Sequence, residues 1–421
     1  MISPEATAKL QPLWRRPLVV RLLLIALFAE IGYAVLNIST MPVYLKYDRG
    51  FGESVIGLVL VAFLLSEAVF KGPMGHLADH HGRRTLMILG PGMTVATALL
   101  SFVVPHGAGG WEVLAFVLLR ALDGVGAAML WPAAFAMMSD SVEDHERQSA
   151  MSLLNLCYML GIALALPIGG IANDLTNTRW ASLVLAAVLF VAVAISCYIY
   201  VPRLVKTSHS EEAAELGEFK IGDFLKSARQ IPAYLTLAII IYAGIGFPMG
   251  VIKLFAEEQL RMTETQFGGL VFPAAIAMAV LSVPLSRFGE RLGRARAVHV
   301  GIGLCTLGLG VIALGSILPM FRSALVMSLG AIPVGIGFLM AIPAWMASVS
   351  DIDPRRRAAN LGAVMTAQGI GAIIGAPIGS AFYEHFQRIS PDFGRYSPFI
   401  GCATCVGIGW LISLRILREP S

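Results

Sequence analysis

Residues 75–84 read Gly-His-Leu-Ala-Asp-His-His-Gly-Arg-Arg and lie between two long apolar runs, 54–75 and 84–104. A related stretch, residues 290–294 (Glu-Arg-Leu-Gly-Arg), follows 211 positions after its counterpart, again between apolar runs. Glycines in such a loop permit a tight turn and close helix approach, because glycine lacks a Cβ atom. A polar, glycine-containing loop that recurs between apolar runs predicts a chain made of two related halves.

The composition is that of a membrane protein. Of the 421 residues, 57% are hydrophobic and only 14% are charged, against about 25% charged in soluble domains. Mean hydropathy is +0.74. These values exclude a soluble enzyme, a disordered chain and a nucleic-acid-binding domain. The apolar runs do not alternate in polarity, which excludes an outer-membrane barrel.

Twelve apolar runs are long enough to span a bilayer, which takes about 20 residues per helix. Lipid offers the backbone no hydrogen-bond partner, so each run is predicted to be a helix and the fold to be an all-α membrane protein. The predicted spans are 18–45, 54–75, 84–104, 111–138, 148–173, 180–202, 233–256, 265–286, 296–319, 323–349, 358–384 and 396–416.

A polar segment, 203–232, separates two sets of six spans. We therefore predict an N-terminal six-helix bundle over 1–202, a cytoplasmic linker over 203–232, and a C-terminal six-helix bundle over 233–421. The linker is either a short amphipathic helix lying on the membrane or a solvated connection, and the sequence favours neither.

Basic residues predict the orientation of the chain. Of the 31 Lys and Arg residues, 21 fall on the side that holds the termini and the linker, and 7 fall on the other side. Because Lys and Arg accumulate in cytoplasmic loops, both termini are predicted to be cytoplasmic.

The two halves match at a fixed offset. Six-helix halves repeated in parallel are the architecture of one class of transporter, which binds its substrate near mid-membrane between the halves. Five matches are 211 residues apart, and a sixth, Pro167 with Pro377, is 210 apart; the five are Gly57 with Gly268, Asp79 with Glu290, Gly124 with Gly335, Pro132 with Pro343, and Ser139 with Ser350.

The loop at 75–84 resembles the signature loop of the major facilitator superfamily, between spans two and three, as in that family. The resemblance implies a charge cluster that latches the two halves together in one state and releases them in another. His80 stands where the family usually has a basic residue. The predicted latch residues are Gly75, Asp79, Gly82, Arg83 and Arg84, with Glu290, Gly293 and Arg294 in the second half.

Two further motifs also resemble superfamily patterns. The fourth span carries Arg120-Ala-Leu-Asp123-Gly-Val-Gly, and the fifth carries Leu166-Pro-Ile-Gly-Gly. The latter resembles the antiporter motif of the 12-helix drug:proton antiporter-type subgroup, in which a glycine normally precedes the proline. These small residues and kinks favour tight helix contact. The predicted helix-interface residues are Gly124, Gly126, Pro167, Gly169, Gly170, Pro377 and Gly379.

Few charged residues lie at membrane depth, where each costs about 2.5–3.5 kcal/mol on insertion scales, so a functional role is the default expectation. Glu67 and Lys71 are four residues apart in the order that favours pairing, and their pair is as readily structural as functional. The six are Glu30, Glu67, Lys71, Arg120, Asp123 and Lys253.

Glu30 is predicted to be the main protonation site. By the resemblance, spans one and four line the central cavity, and rises of about 1.5 Å per residue place Glu30, Arg120 and Asp123 near one layer. A carboxyl group there can bind and release a proton as the cavity changes side, with Arg120 tuning it. Asp123 and Glu67 are further proton-coupling candidates. The alternative is a permanent pair of Arg120 with Asp123 or Glu30 that holds helices together.

We predict a secondary active transporter that works by alternating access and exports drug-like or amphiphilic compounds in exchange for protons. The alternatives are a proton-coupled symporter for a sugar or organic acid, and a non-transporting sensor. Neither H-E-x-x-H nor G-x-S-x-G appears, nor a P-loop, so an enzyme or ATP-driven pump is not expected. Side chains that can line the cavity, although ordinary packing is the commoner role, are Tyr33, Asn37, Trp131, Tyr242 and Trp345.

The remaining expectations concern partners. The five cysteines lie in apolar runs, so they predict neither a disulfide framework nor a metal site. We expect no metal and no cofactor, with the proton gradient as energy source. The expected partners are a small-molecule substrate and membrane lipid, with no nucleic acid, for a monomer in the cytoplasmic membrane.

Overall fold

The computed structural model describes residues 12–143, 146–202, 229, 231–352 and 357–417, and every regular element in those ranges is helical. The first half contains α1 Pro17–Asp48, α2 Glu53–His81, α3 Arg83–Val103, α4 Gly110–Asp140, α5 Arg147–Thr176 and α6 Ala181–Tyr200. The second half contains α7 Pro232–Met249, a short α8 Ile252–Glu258, α9 Glu264–Leu292, α10 Arg294–Ala313, α11 Ala324–Ile352, α12 Arg357–Gln387 and α13 Pro391–Ile416.

Eleven of these helices, within the described part of the chain, are long and apolar enough to cross a membrane. The predicted span at 265–286 lies in α9, whose apolar stretch in the described residues, Thr265–Met278, is shorter than the other eleven. Twelve spans therefore stay a prediction. Of the predicted linker 203–232, residues 203–228 and 230 lie outside the described residues.

Close contacts divide the chain into two compact units. The first unit comprises 1–40 and 65–218, and the second comprises 41–64 and 219–421. The division near residue 218 falls inside the predicted linker. The segment 41–64, which holds the end of α1 and the start of α2, packs with the second unit although it precedes residue 203 in the sequence.

In the first unit, α1 packs on α5 and α6, and α3 packs on α4 and α6. The crossing of α3 and α4 is formed by two glycines. A Cβ atom on Gly126 would lie 2.8 Å from the carbonyl oxygen of Gly90, and one on Gly90 would meet the carbonyl of Gly126 in turn. Only hydrogen at both positions allows the two backbones to approach this closely.

The second unit repeats the same packing. Its helices α7 with α12 and α13, and α10 with α11 and α13, form the corresponding contacts. Gly301 and Gly337, each 211 residues after Gly90 and Gly126, meet in the same reciprocal way, with a Cβ on Gly301 lying 2.5 Å from the Gly337 carbonyl oxygen. The repeat in the sequence therefore encodes a repeated helix crossing.

Large apolar side chains cover the outside of many helices. Val103 and Leu175 are more than two-thirds exposed in the absence of lipid, as are Ile317 and Leu325. Buried positions, by contrast, hold several polar and charged groups, Glu30 and Arg120 among them. An apolar exterior around a partly polar interior is the arrangement that a bilayer favours, because lipid solvates apolar groups and leaves polar groups to find partners inside.

Candidate functional site

Glu30 lies in the middle of α1 and is 5% exposed. Helix α5 closes over it at Gly161, where a Cβ atom would lie 2.6 Å from the Cβ of Glu30. No hydrogen-bond donor contacts the Glu30 carboxylate among the residues that the structure describes. A buried carboxylate with no direct partner is unfavourable when ionised, which makes Glu30 a candidate for reversible protonation.

The same helix carries the two predicted cavity residues Tyr33 and Asn37. The amide nitrogen of Asn37 donates to the carbonyl oxygen of Tyr33 at 3.0 Å, just where α1 widens into a π-helical stretch, Val35–Thr40. Such widened turns occur frequently at functional sites. The Tyr33 ring packs edge-on against Phe190 of α6, with ring centroids 4.5 Å apart.

Glu67 and Lys71 form an ion pair along α2. The Lys71 ammonium lies 2.8 Å from a Glu67 carboxylate oxygen, with the Lys71 and Glu67 side chains 50% and 15% exposed, respectively. The charges of both residues act on Glu30, and those of Glu30 and Glu67 act on Tyr158 of α5. Glu30, Glu67 and Lys71 thus belong to one electrostatic group, which we call the acidic cluster.

Arg120 and Asp123 form a second pair, buried in the first unit. The Arg120 Nη1 atom donates to Asp123 Oδ2 at 2.8 Å, and the two side chains are 1% and 0% exposed. Thr97 of α3 donates to Asp123 Oδ1 at 3.4 Å, and Thr94 donates to the Tyr33 hydroxyl at 3.4 Å. Polar groups of α1, α3 and α4 therefore meet in one layer.

Arg120 is incompletely satisfied and pairs with Asp123 rather than with Glu30. Its Nε and Nη2 atoms are buried without a hydrogen-bond partner in the described part of the chain. The structure groups Glu30 instead with Glu67 and Lys71. The sequence spacing had placed Glu30 and Arg120 in one layer, but helix rotation determines which side chains meet.

The predicted aromatic cavity residues fall into two groups. Trp131 is 5% exposed and packs edge-on against Tyr158, with centroids 5.1 Å apart. Trp345 belongs to the hydrophobic core of the second unit, and the partly buried Tyr242 packs against that core. The Trp345 Nε1 atom is buried without a partner among the described residues. Lys253, one of the six charged residues predicted at membrane depth, is only 3% exposed.

The motif loop is a tight turn into α3. Gly82 has a φ of +92°, and its counterpart Gly293, just before α10, has a φ of +89°. Residues that carry a side chain rarely adopt this backbone conformation. Gly75 lies on α2, where a Cβ atom would make ordinary contact with Pro132 of α4. The side chains of Asp79 and Glu290 lie outside the described residues.

The arginines of the loop bind neighbouring helix ends. Arg83 pairs with Asp140 at the end of α4 and donates to the Ala136 carbonyl at 3.0 Å. Arg84 donates to the Tyr198 carbonyl of α6, and its guanidinium lies 5.0 Å from the centroid of that ring. In the first unit, the loop therefore ties α3 to α4 and α6.

The remaining motif glycines form close helix contacts. Gly124 is buried in α4, and Gly170 is buried in α5 near Pro167. Gly169 faces α1, where a Cβ atom would lie 2.9 Å from the Cβ of Ser39. In α12, Gly379 lies against the Phe247 backbone of α7, close to Pro377.

Sequence reasoning did not single out four residues of this site. Thr94, Thr97 and Tyr158 were missed because hydroxyl side chains within apolar runs are common and carry no charge. Asp140 was missed because its spacing from Arg83 gives no sign of contact. The sequence signal that could have indicated the contact of Arg83 with Asp140 is their opposite charge at two helix ends that are both predicted to be cytoplasmic.

Comparison with protein families identifies the chain. A family model described as Major Facilitator Superfamily matches residues 22–376 and 234–421. The chain belongs to the major facilitator superfamily. This superfamily member is therefore a multi-pass transporter of the cytoplasmic membrane rather than an enzyme, and small molecules are its cargo.

Relatives of this superfamily member include drug-resistance proteins. Multidrug resistance protein 2 of Bacillus subtilis is 23% identical over 384 residues, which is 89% of each chain. The multi-drug resistance efflux pump PmrA of Streptococcus pneumoniae is 24% identical over 395 residues, 90% of this chain and 91% of the relative. The quinolone resistance protein NorA of Staphylococcus aureus is 28% identical over 151 residues, 36% of each chain. These names agree with the predicted resemblance to drug-efflux members of the superfamily.

Solved structures agree on the fold. A nucleoside transporter, NupG, superposes with a TM-score of 0.76 over 95% of this chain and 100% of its own, at 13% identity. A bacterial homologue of the human drug peptide transporters PepT1 and PepT2 gives 0.72 at 16% identity, over 94% of this chain and 97% of its own. At such identities these likenesses establish the superfamily fold alone.

Proposed function

We propose that the chain exports small drug-like or amphiphilic compounds by alternating access, in exchange for protons, with both termini in the cytoplasm. The names of its relatives support this class of cargo, since proteins named for multidrug resistance match across about nine-tenths of the chain. The distribution of Lys and Arg supports the orientation.

The acidic cluster carries the proposal of proton coupling. With all three groups ionised, Glu30, Glu67 and Lys71 have a net charge of −1, so one bound proton makes the cluster neutral. Glu30 is the more deeply buried carboxylate and has no direct cation among the described residues, whereas Glu67 has Lys71 at 2.8 Å. We assign the transported proton to Glu30, with Glu67 and Lys71 setting the charge that it meets.

Arg120 and Asp123 have a different proposed role. Their charges cancel within one buried pair, and Thr97 holds Asp123 from the neighbouring helix. A self-neutralised pair does not need a proton to be stable in a low-dielectric interior. We propose that this pair fixes α3 and α4 beside the cavity and affects coupling only through their position. A direct part of the pair in proton coupling would reverse this assignment.

The test uses Glu30→Gln in reconstituted vesicles with ethidium and a fluoroquinolone as probes. The expected result is that the variant still exchanges labelled for unlabelled probe without a gradient but no longer accumulates probe when a pH gradient is imposed. Glutamine keeps the size and the polarity of the side chain but cannot release a proton.

The two assays serve as mutual controls. Retention of both activities by Glu30→Gln would exclude Glu30 as the coupling site. Loss of both would indicate that the residue is needed for binding or folding and would equally contradict the assignment. Glu112→Gln is a matched control, because Glu112 is also buried but binds the Gly107 backbone nitrogen at a loop; it should keep both activities.

A further inference from the structure

Glu384, near the end of α12, binds the beginning of α2. Its Oε2 atom accepts a hydrogen bond from the backbone nitrogen of Ser54 at 3.0 Å, and the Ser54 hydroxyl donates to the same side chain. Ser54 is the second residue of α2, and the first N–H groups of a helix have no partner inside it. A carboxylate there satisfies one of them and is favoured by the helix dipole. The two residues are 330 positions apart.

Beside this contact the backbones of three segments meet at Ser380. A Cβ atom on Gly57 of α2 would lie 2.7 Å from the Ser380 Cβ and 3.2 Å from the Cα of Pro377. A Cβ atom on Gly250, just after α7, would lie 2.8 Å from the Ser380 hydroxyl oxygen. Ser380 is completely buried, and its hydroxyl has no partner among the described residues. This seam is therefore tightly closed.

The helices that present Glu384 are themselves braced. Glu258 at the end of α8 accepts hydrogen bonds from Tyr383 at 2.9 Å and from Gln387 at 3.2 Å, both on α12. Arg395 of α13 lies 3.5 Å from the same carboxylate. These bonds hold α8, α12 and α13 together. A movement that separates the start of α2 from α12 must therefore break the hydrogen bonds between Ser54 and Glu384.

We propose that Glu384 is a positioning residue that keeps this end of the transport pathway closed by capping the first turn of α2. The contact lies on the side of the membrane where α1 ends, which the proposed orientation places outside the cell, and the inference rests on the proposed alternating access. Release of cargo to that side requires the seam at Ser380 to open, and opening breaks the cap. The bond therefore biases the transporter toward the state closed to the outside.

Ser380→Cys provides a direct reporter of opening. The substitution changes only a hydroxyl without a partner in the described chain to a thiol, at a site that is buried while the seam is closed. The rate at which a charged, membrane-impermeant maleimide modifies the introduced thiol from the outside of right-side-out vesicles then follows the population of the open state, and inside-out vesicles verify the side. Mass spectrometry of the otherwise native chain identifies the labelled site.

Glu384→Gln added to this reporter should raise the labelling rate on the order of tenfold, the factor that corresponds to the loss of about 1.4 kcal/mol. Arg388→Gln is the matched control. Arg388 pairs with Glu384 at 2.7 Å within α12 and is itself 73% exposed, so its removal leaves the cap in place and should not change the rate.

An unchanged rate in Glu384→Gln, or an equal increase in Arg388→Gln, would overturn the proposal. Native Cys197 is fully buried near the end of α6 that the proposed orientation places in the cytoplasm. It reports unfolding in the inside-out vesicles, where it should stay unlabelled in every variant. If Glu384→Gln exposes Cys197, Ser54→Pro decides instead, since proline is tolerated in the first turn of a helix and removes both donors. It should accelerate labelling at position 380 alone, and failure to do so refutes the cap.

The labelling is measured without cargo and without a gradient. Its outcome is therefore independent of whether the chain exports drugs or couples to protons. Absence of drug transport together with faster labelling in Glu384→Gln would contradict the proposed function and leave the cap intact as a proposal. Drug transport together with unchanged labelling would contradict the cap and leave the proposed function intact.

Discussion

At the scale of single residues, the deciding feature is how each buried charge is compensated. Arg120 and Asp123 compensate one another at three residues' separation on one helix. Glu30 has no charged partner on its own helix; of the charged groups that act on it from α2, Lys71 favours the ionised carboxylate and Glu67 opposes it. A pair built into one helix survives any movement between helices, whereas compensation across helices changes when they move. This difference is why we assign the proton to Glu30.

The same difference predicts the stability of Asp123 variants. Asp123→Ala leaves a buried guanidinium uncompensated and should lower the free energy of unfolding by about 3–5 kcal/mol. The double variant Arg120→Met, Asp123→Leu should recover most of that loss, because apolar residues often replace a buried pair without cost. Denaturant titration in detergent measures both.

Asp392→Ala is the control for that measurement. Asp392 pairs with Arg322 but is 42% exposed, and exposed pairs contribute only about 0–1 kcal/mol. A loss in Asp123→Ala no larger than in this control would show that the buried pair has no structural role. A stable double variant that loses gradient-driven transport would assign the pair to coupling instead.

At the scale of helices, packing depends on where glycine allows backbones to touch. Gly90 and Gly92 lie on the same helix, yet a Cβ atom on Gly90 would meet the Gly126 backbone while one on Gly92 would meet nothing within 4 Å in the described structure. In α10, Gly301 and Gly310 form the equivalent contrast. The glycines at these two crossings are thus explained by contact rather than by flexibility.

This contrast gives a prediction with internal controls. Gly90→Ala and Gly301→Ala should each destabilise the protein by about 1–3 kcal/mol, the usual cost of overpacking. Gly92→Ala and Gly310→Ala should be neutral or stabilising by up to about 1 kcal/mol, since alanine is the better helix former. Thermal unfolding of the four purified variants tests this, and equal effects within either pair would refute the packing explanation.

At the scale of the whole molecule, the number of spans and the orientation are the properties still to be measured. Fusions of alkaline phosphatase, which is active only outside the cytoplasm, after Arg261 and after Arg294 bracket α9. The first should be active and the second inactive if the predicted span at 265–286 crosses the membrane. Activity of both fusions would mean that α9 does not cross, and an active fusion at the C-terminus would reverse the predicted orientation.

Much of the fold was predictable because short segments of the sequence determine it. Each span is a run of apolar residues that lipid compels to be helical, and eleven such helices are confirmed by the described residues. The repeat at 211 residues predicted two related halves, and the reciprocal contacts of Gly90 with Gly126 and of Gly301 with Gly337 show its physical content. The superfamily, named from loop 75–84, is confirmed by the family match.

The site was less predictable, because contacts between helices depend on their rotation and tilt. Depth along the membrane placed Glu30 of α1 near Arg120 of α4, but in the described part of the chain Arg120 pairs only with Asp123 of its own helix. Thr94 and Thr97 gain their role only from the neighbour that they face. Sequence spacing measures distance along a helix and contains little information about its azimuth.

The sequence by itself determined that this protein is a membrane transporter of two repeated halves, because hydrophobic length and small-residue spacing act within short segments. Only the tertiary structure decided that Glu30 stays apart from the Arg120–Asp123 pair, and that Glu384 reaches Ser54 across 330 residues. A helix end satisfies its first N–H groups with whatever acceptor packing brings to it. That acceptor is chosen by the arrangement of whole helices, which no local pattern specifies.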